Sequence, residues 1–86
     1  MKYGFRVMVE TLNVDCVVVA EEMLSQSGLR SEARSAKERH ERTLLSNGFS
    51  VVIDATQMHG GDYLFRPRDD RRVRVVVRDL ESGVDT

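Results

Sequence analysis

Asn13-Val14-Asp15-Cys16-Val17-Val18-Val19-Ala20-Glu21-Glu22-Met23-Leu24 is the stretch on which the topology turns. Two readings compete for it. Asn13 can cap a helix beginning at Val14, with Asp15 favourably placed in the first turn. Cys16, Val17, Ala20, Met23 and Leu24 then form an apolar stripe at helical spacing, and Gly28 serves as the residue past the C-cap. Against this, Val17-Val18-Val19 sets three β-branched residues in a row, which opposes helix and suits a strand from Asp15 to Ala20. The helix is favoured because Ala20-Glu21-Glu22-Met23-Leu24 follows without a break signal. A strand here would overturn the topology derived from it.

Upstream, Tyr3, Phe5, Val7 and Val9 alternate with Lys2, Gly4, Arg6, Met8 and Glu10, the pattern of a strand with its aromatic face inward. Thr11-Leu12-Asn13 interrupts it. Downstream, Ser25 to Ser31 reads as a turn around Gly28, followed by a second helix to about Ser46. Its narrow apolar stripe is Leu29, Ala33, Ala36, His40 and Leu44, and Asn47-Gly48 stops it. Glu38 and Arg42 are spaced for an ion pair worth roughly 0.2–0.5 kcal/mol.

Phe49, Val51, Ile53 and Ala55 alternate with Ser50, Val52 and Asp54 in a second strand. Gln57 to Gly61 is a glycine-containing loop, Tyr63 to Arg66 a short third strand, and Pro67-Arg68-Asp69-Asp70 a turn. In Arg71 to Arg78, Val73, Val75 and Val77 alternate with Arg72, Arg74 and Arg78, a half-buried fourth strand ending near Asp79. The fold expected is α+β, in the order β-α-α-β-β-β. Residues 1–80 form a single domain with a four-stranded, mainly antiparallel sheet and both helices packed on one face. Residues 81–86 are expected to fray.

Composition sets bounds on function. Thirteen basic and fourteen acidic residues give a net charge of -1 over 86 residues, so neither a strongly basic nucleic-acid binder nor an acidic mimic is indicated. Arginine outnumbers lysine by eleven to two, which fits a GC-rich coding sequence and equally fits bidentate recognition of carboxylate or phosphate. The lone Cys16 excludes an internal disulfide and a multi-cysteine zinc site, and suits a reducing cytoplasm. No secretory signal is read at Met1 to Glu10, and the longest apolar run, Cys16 to Ala20, is far short of membrane-spanning length.

By alternation the outward sheet face carries Arg6, Met8 and Glu10, then Val52 and Asp54, then Arg72, Arg74, Val76 and Arg78. Arginine and methionine among a few valines suit an interface, whereas a solvated face with salt bridges such as Arg72 with Asp54 is the plainer alternative. Arg66, Arg68, Arg71, Arg72 and Arg74 surround the Pro67–Asp70 turn, with Asp69 and Asp70 partly neutralising them. The aromatics Tyr3, Phe5, Phe49, Tyr63 and Phe65 mostly alternate with inward valines and are expected in the core, which leaves little for base stacking. The loop Met58-His59-Gly60-Gly61-Asp62 reads as a connecting turn, His40 as a boundary histidine and Cys16 as a small buried hydrophobe. No nucleophile elbow, P-loop or dinucleotide fingerprint occurs, so no catalytic, cofactor or metal residues are named.

The function expected is that of a small non-catalytic binding module. It would dock the sheet face and hairpin on a protein partner through Arg6, Met8, Val52, Arg66, Arg68, Arg72, Arg74, Val76 and Arg78, as an adaptor or an inhibitor. Arg74→Glu is expected to abolish binding while leaving the fold intact. A sequence-tolerant nucleic-acid binder using the same arginines on phosphates is the alternative, and a homodimer pairing this face or a sheet edge is a third. Size, arginine content and the lack of a catalytic motif suit small proteins of phages and mobile elements that inhibit host defence complexes, an analogy of style that does not carry function.

Overall fold

The computed structural model describes residues 4–58 and 60–85. Expectations that fall on Met1, Lys2, Tyr3, His59 and Thr86 lie outside the described residues. The elements are β1 (Phe5–Leu12), β2 (Val18–Ser27), α1 (Arg30–Ser46), β3 (Ser50–Val52), β4 (Tyr63–Arg66) and β5 (Arg71–Asp79). They form one five-stranded sheet in the order β2-β1-β5-β4-β3, and every pairing is antiparallel. The α+β class is as expected; the element count is not. One helix, not two, lies between the strands.

The correction falls on the decisive stretch. Asn13 does cap a chain reversal, but the reversal is a hairpin turn. Its side-chain oxygen accepts from the backbone N–H of Asp15 at 2.9 Å and of Val17 at 3.1 Å, while its own N–H donates to the Val17 carbonyl at 3.0 Å. Asparagine offers a turn the same oxygen that it offers a helix N-terminus. Cys16 takes a left-handed conformation at φ 61° to complete the turn. The valine run then leaves as β2 and pairs along β1. The register slips twice, at Leu24 and at Val19, so each is an extra residue bulged out of the ladder. At the far end of this hairpin the backbones close tightly: a Cβ on Gly4 would lie 2.8 Å from the Ser27 carbonyl oxygen.

α1 begins after Leu29, which stays exposed instead of joining the apolar stripe. The Ser27 hydroxyl donates to Glu32 at 2.6 Å and accepts from the Leu29 N–H at 3.2 Å, tying the end of β2 to the first helical turn. Ala33, Ala36 and Leu44 face the sheet, and small side chains let the helix approach closely. The Asn47 N–H and side-chain amide return to the carbonyls of Leu44 and Thr43, and Gly48 at φ +92° turns the chain out, as the Asn-Gly stop requires. The ion pair that forms along the helix is Lys37 with Glu41 at 3.1 Å, not Glu38 with Arg42.

The core lies between α1 and the sheet and is built from Val7, Ala33, Phe49, Leu64, Val73, Val75 and Val77. Val7, Val73, Val75 and Val77 are where alternation put them. The second expected strand is cut to three residues, and Val51 and Ile53 are exposed. β3 is an edge strand, paired among the described residues only with the four-residue β4. Residues 81–85 are exposed. They fold back so that the Asp79 N–H donates to Val84 O at 3.0 Å and Arg78 bridges to Asp85.

Candidate functional site

Besides the short β3 edge, the sheet exposes two regions of different character: its outer face, opposite the helix, and its β2 edge. The β1–β5 register sets Arg6 beside Arg78, Met8 beside Val76, Glu10 beside Arg74 and Leu12 beside Arg72 on the outer face. All but Leu12 are residues that alternation assigned to it; the strand runs two residues into the expected interruption at Thr11-Leu12-Asn13, and Leu12 is buried. β4 adds a surprise. Leu64 pairs with Val73 on the core side, so Phe65, opposite Arg72, must face outward, and Tyr63 with it. The expectation that both aromatics are core residues is therefore corrected; among the described aromatics Phe49 is buried in the core and Phe5 is packed against it. Val52 pairs with Tyr63 on the same outer side.

The outer-face arginines are largely used by the protein itself. Arg78 meets Glu21 at 2.9 Å, Asp85 at 2.8 Å and Glu10 at 3.5 Å. Hydrogen bonds to Asp85 first, and to Glu21 next, hold its pKa above the ordinary guanidinium value. Arg74, whose side chain is only 12% exposed, lies 3.7 Å from Glu10. Its guanidinium also donates to the carbonyls of Asp62 and Gly61, each at 3.4 Å, and so pins the loop after β3 against the sheet. Arg74 is thus a brace, and the expectation that Arg74→Glu leaves the fold intact does not follow from this geometry.

Arg72 pairs with Asp70 at 3.3 Å and lies over the Phe65 ring at 4.8 Å, instead of reaching Asp54. Asp54 instead organises its own loop, accepting from the Thr56 hydroxyl at 2.9 Å while its N–H donates to Asp62. Arg66 forms a two-pronged pair with Asp69 at 2.7 and 3.0 Å and stacks on Phe49 at 4.7 Å. Arg6 donates to Gln26 at 3.2 Å. Val76 is buried and Met8 half-buried. Arg68 and Arg71, on the exposed turn, make no ion pair among the described residues.

Glu10 is the residue that sequence reading undervalued. Its side chain is 8% exposed, at the junction of Arg74 and Arg78. Burial, followed by the charge of Asp85, raises its pKa above the ordinary 4.5. With the repulsion of Glu21, these outweigh the pull of the two arginines. No pattern in the sequence gives this away, since its partners arrive from positions 21, 74, 78 and 85.

The β2 side is different. Val14, Val17, Val18, Val19, Met23 and Leu24 are all exposed, with Val19 at 60% and Val14 at 67%. No lysine or arginine occurs between Arg6 and Arg30, while Glu10, Asp15, Glu21 and Glu22 do. Glu10 and Glu21 are neutralised by arginines; Asp15 and Glu22 have no ionic partner among the described residues. Between β2 and the C-terminal half of α1 runs a groove of about 550 Å³ with Val9, Leu44 and Phe49 in its floor and Glu22, His40 and Arg71 at its rim. A second, smaller cleft of about 300 Å³ lies where β4 begins, between Lys37, Asp62 and Arg74. The available signals for the β2 side were the valine run and the absence of any basic residue around it. Cys16, at the turn, is half-exposed and not a buried hydrophobe.

Among the described residues no helix is long and apolar enough to cross a membrane, and no group of three or more His, Cys, Asp or Glu could hold a metal ion. Comparison with known proteins gives no match to any family model, curated protein or solved structure.

Proposed function

We propose that the protein is a small non-catalytic binding module that docks on a protein partner in the cytoplasm, as an adaptor or an inhibitor. The observation that carries this reading is the β1–β2 hairpin, which holds six large apolar side chains in solvent along an edge of the sheet. Exposed apolar side chains that cluster and are rimmed by charge mark interaction surfaces, whereas scattered ones need no explanation. Arg68 on the β4–β5 turn and Arg71 at the start of β5 lie at the same end of the sheet as the Asn13–Cys16 turn, and add charged contacts at its rim. Met8, Val52 and the remaining outer-face arginines form a second, more self-satisfied surface.

The test is affinity capture from source-cell lysate with the native chain and with a Val17→Ser, Val19→Ser, Met23→Gln variant, each with and without nuclease. A defined protein held by the native chain under both conditions, and lost by the variant, supports the reading. The nucleic-acid alternative draws on one specific observation, the placement of Tyr63 and Phe65 on the outer face beside Arg72, where bases could stack. It predicts recovery of nucleic acid and an affinity that falls steeply with salt, whereas an apolar protein contact is far less salt-sensitive.

A further inference from the structure

We infer that β2 is the docking edge for one kind of partner: an extended protein segment with a lysine or arginine set between apolar side chains, which adds to the sheet as a sixth strand. This rests on the protein-binding reading and makes its chemistry specific. β2 ends the sheet order, so among the described residues no strand pairs with one side of its backbone. Such an edge accepts an extended segment through backbone hydrogen bonds, with side-chain neighbours giving the specificity.

The neighbours here are legible. Between the bulges at Val19 and Leu24, β2 runs regularly over Ala20, Glu21, Glu22 and Met23, so the added strand is short. At either end of that run lie exposed valines and Met23 with Leu24, which call for apolar side chains opposite. In its middle, Glu21 on the outer face is already paired with Arg78. Glu22, paired with Val9 and therefore on the helix side, opens on the groove without an ionic partner among the described residues. A single basic residue opposite Glu22 matches this pattern. A second copy of the chain does not. Antiparallel pairing of two β2 strands about their middle would bring the unpaired Glu22 of one copy to the Glu22 of the other, with no lysine or arginine from residue 7 to 29 to relieve them.

The experiment uses two labelled peptides, Val-Thr-Val-Lys-Val-Thr-Val and its twin with glutamate in place of lysine. Binding to the full chain is followed by fluorescence anisotropy, and protected amides are mapped by NMR hydrogen exchange. The lysine peptide should bind tighter by roughly fivefold or more, with new protection confined to Ala20–Met23. Glu22→Lys, an exposed substitution checked by circular dichroism, should reverse the preference. Equal affinities, or protection elsewhere than β2, would overturn the edge assignment. So would a concentration-dependent dimer in sedimentation that already protects β2. If peptides fail but a lysate protein is still captured by the Glu22→Lys chain through the Arg68–Arg71 turn, the edge is wrong while the binding module stands. Capture that disappears with nuclease overturns both.

Discussion

The two halves of the sheet use charge in opposite ways. In the β4–β5 half, arginine is abundant and four of its six guanidinium groups are engaged: Arg66 with Asp69, Arg72 with Asp70, Arg74 with Glu10 and the loop carbonyls, Arg78 with three carboxylates. In the β1–β2 half there is no basic residue beyond Arg6, and exposed valines stand beside carboxylates that nothing local neutralises. A charge-rich surface can therefore be closed, and a charge-poor edge open. What makes a surface available is unmet bonding capacity, and a count of arginines does not measure it.

The sharpest way to break this contrast is Arg74→Glu. If the arginine half is structural, the substitution puts a carboxylate beside the nearly buried Glu10 and releases the loop at Gly61 and Asp62. A loss of about 3 kcal/mol in urea unfolding is expected, at the lower end for breaking a buried pair because the 3.7 Å contact is long. A fold within about 0.5 kcal/mol of the native chain, the range of an ordinary surface substitution, would return Arg74 to the free surface.

Asn13→Ala probes the other half with a smaller effect. It removes the acceptor for the N–H groups of Asp15 and Val17 at an exposed turn. About 1 kcal/mol should be lost, seen as a lower urea midpoint and faster amide exchange at the turn and the first residues of β2. An unchanged midpoint with unchanged exchange would show that valine pairing along β1 alone holds the hairpin.

The same contrast explains what the sequence discloses. Period-two alternation named the faces of β1 from Phe5 to Glu10 and of β5 correctly because each is covered on one side by the helix. Asn47-Gly48 marked the helix end for a conformational reason that any neighbour would respect. β2 escaped for two physical reasons. Asn13 caps a turn with the atom it would use to cap a helix, and the bulges at Val19 and Leu24 shift the phase of alternation twice in ten residues. Phe65 was misplaced because the choice of Leu64 as the inward residue rests on its pairing with Val73, a contact between separate strands. The arginine residues were legible as a group, but their partners were not: Glu10, Glu21 and Asp85 converge on Arg78 only through the sheet order.

Glu10 lies on the strand that joins the two halves, and its titration gives the smallest but most specific test. Its folded-state pKa is raised above 4.5, so the folded chain holds this proton more tightly than the unfolded chain does. The stability linked to it is complete below that ordinary value and is lost as pH rises through the raised one. Asp69 behaves oppositely. The hydrogen bond from Arg66 holds it below 3.8, so its contribution is present above that value and is lost as pH falls through the lowered one. From pH about 4.5 to about 7, Glu10 is the one of the two that gives a declining component. Glu10→Gln should flatten that decline in urea midpoints taken across the interval, while leaving the acid limb, to which Asp69 contributes, in place. Parallel profiles for the two chains would mean that Arg74 and Arg78 neutralise Glu10 fully, and the junction would then belong wholly to the arginine half.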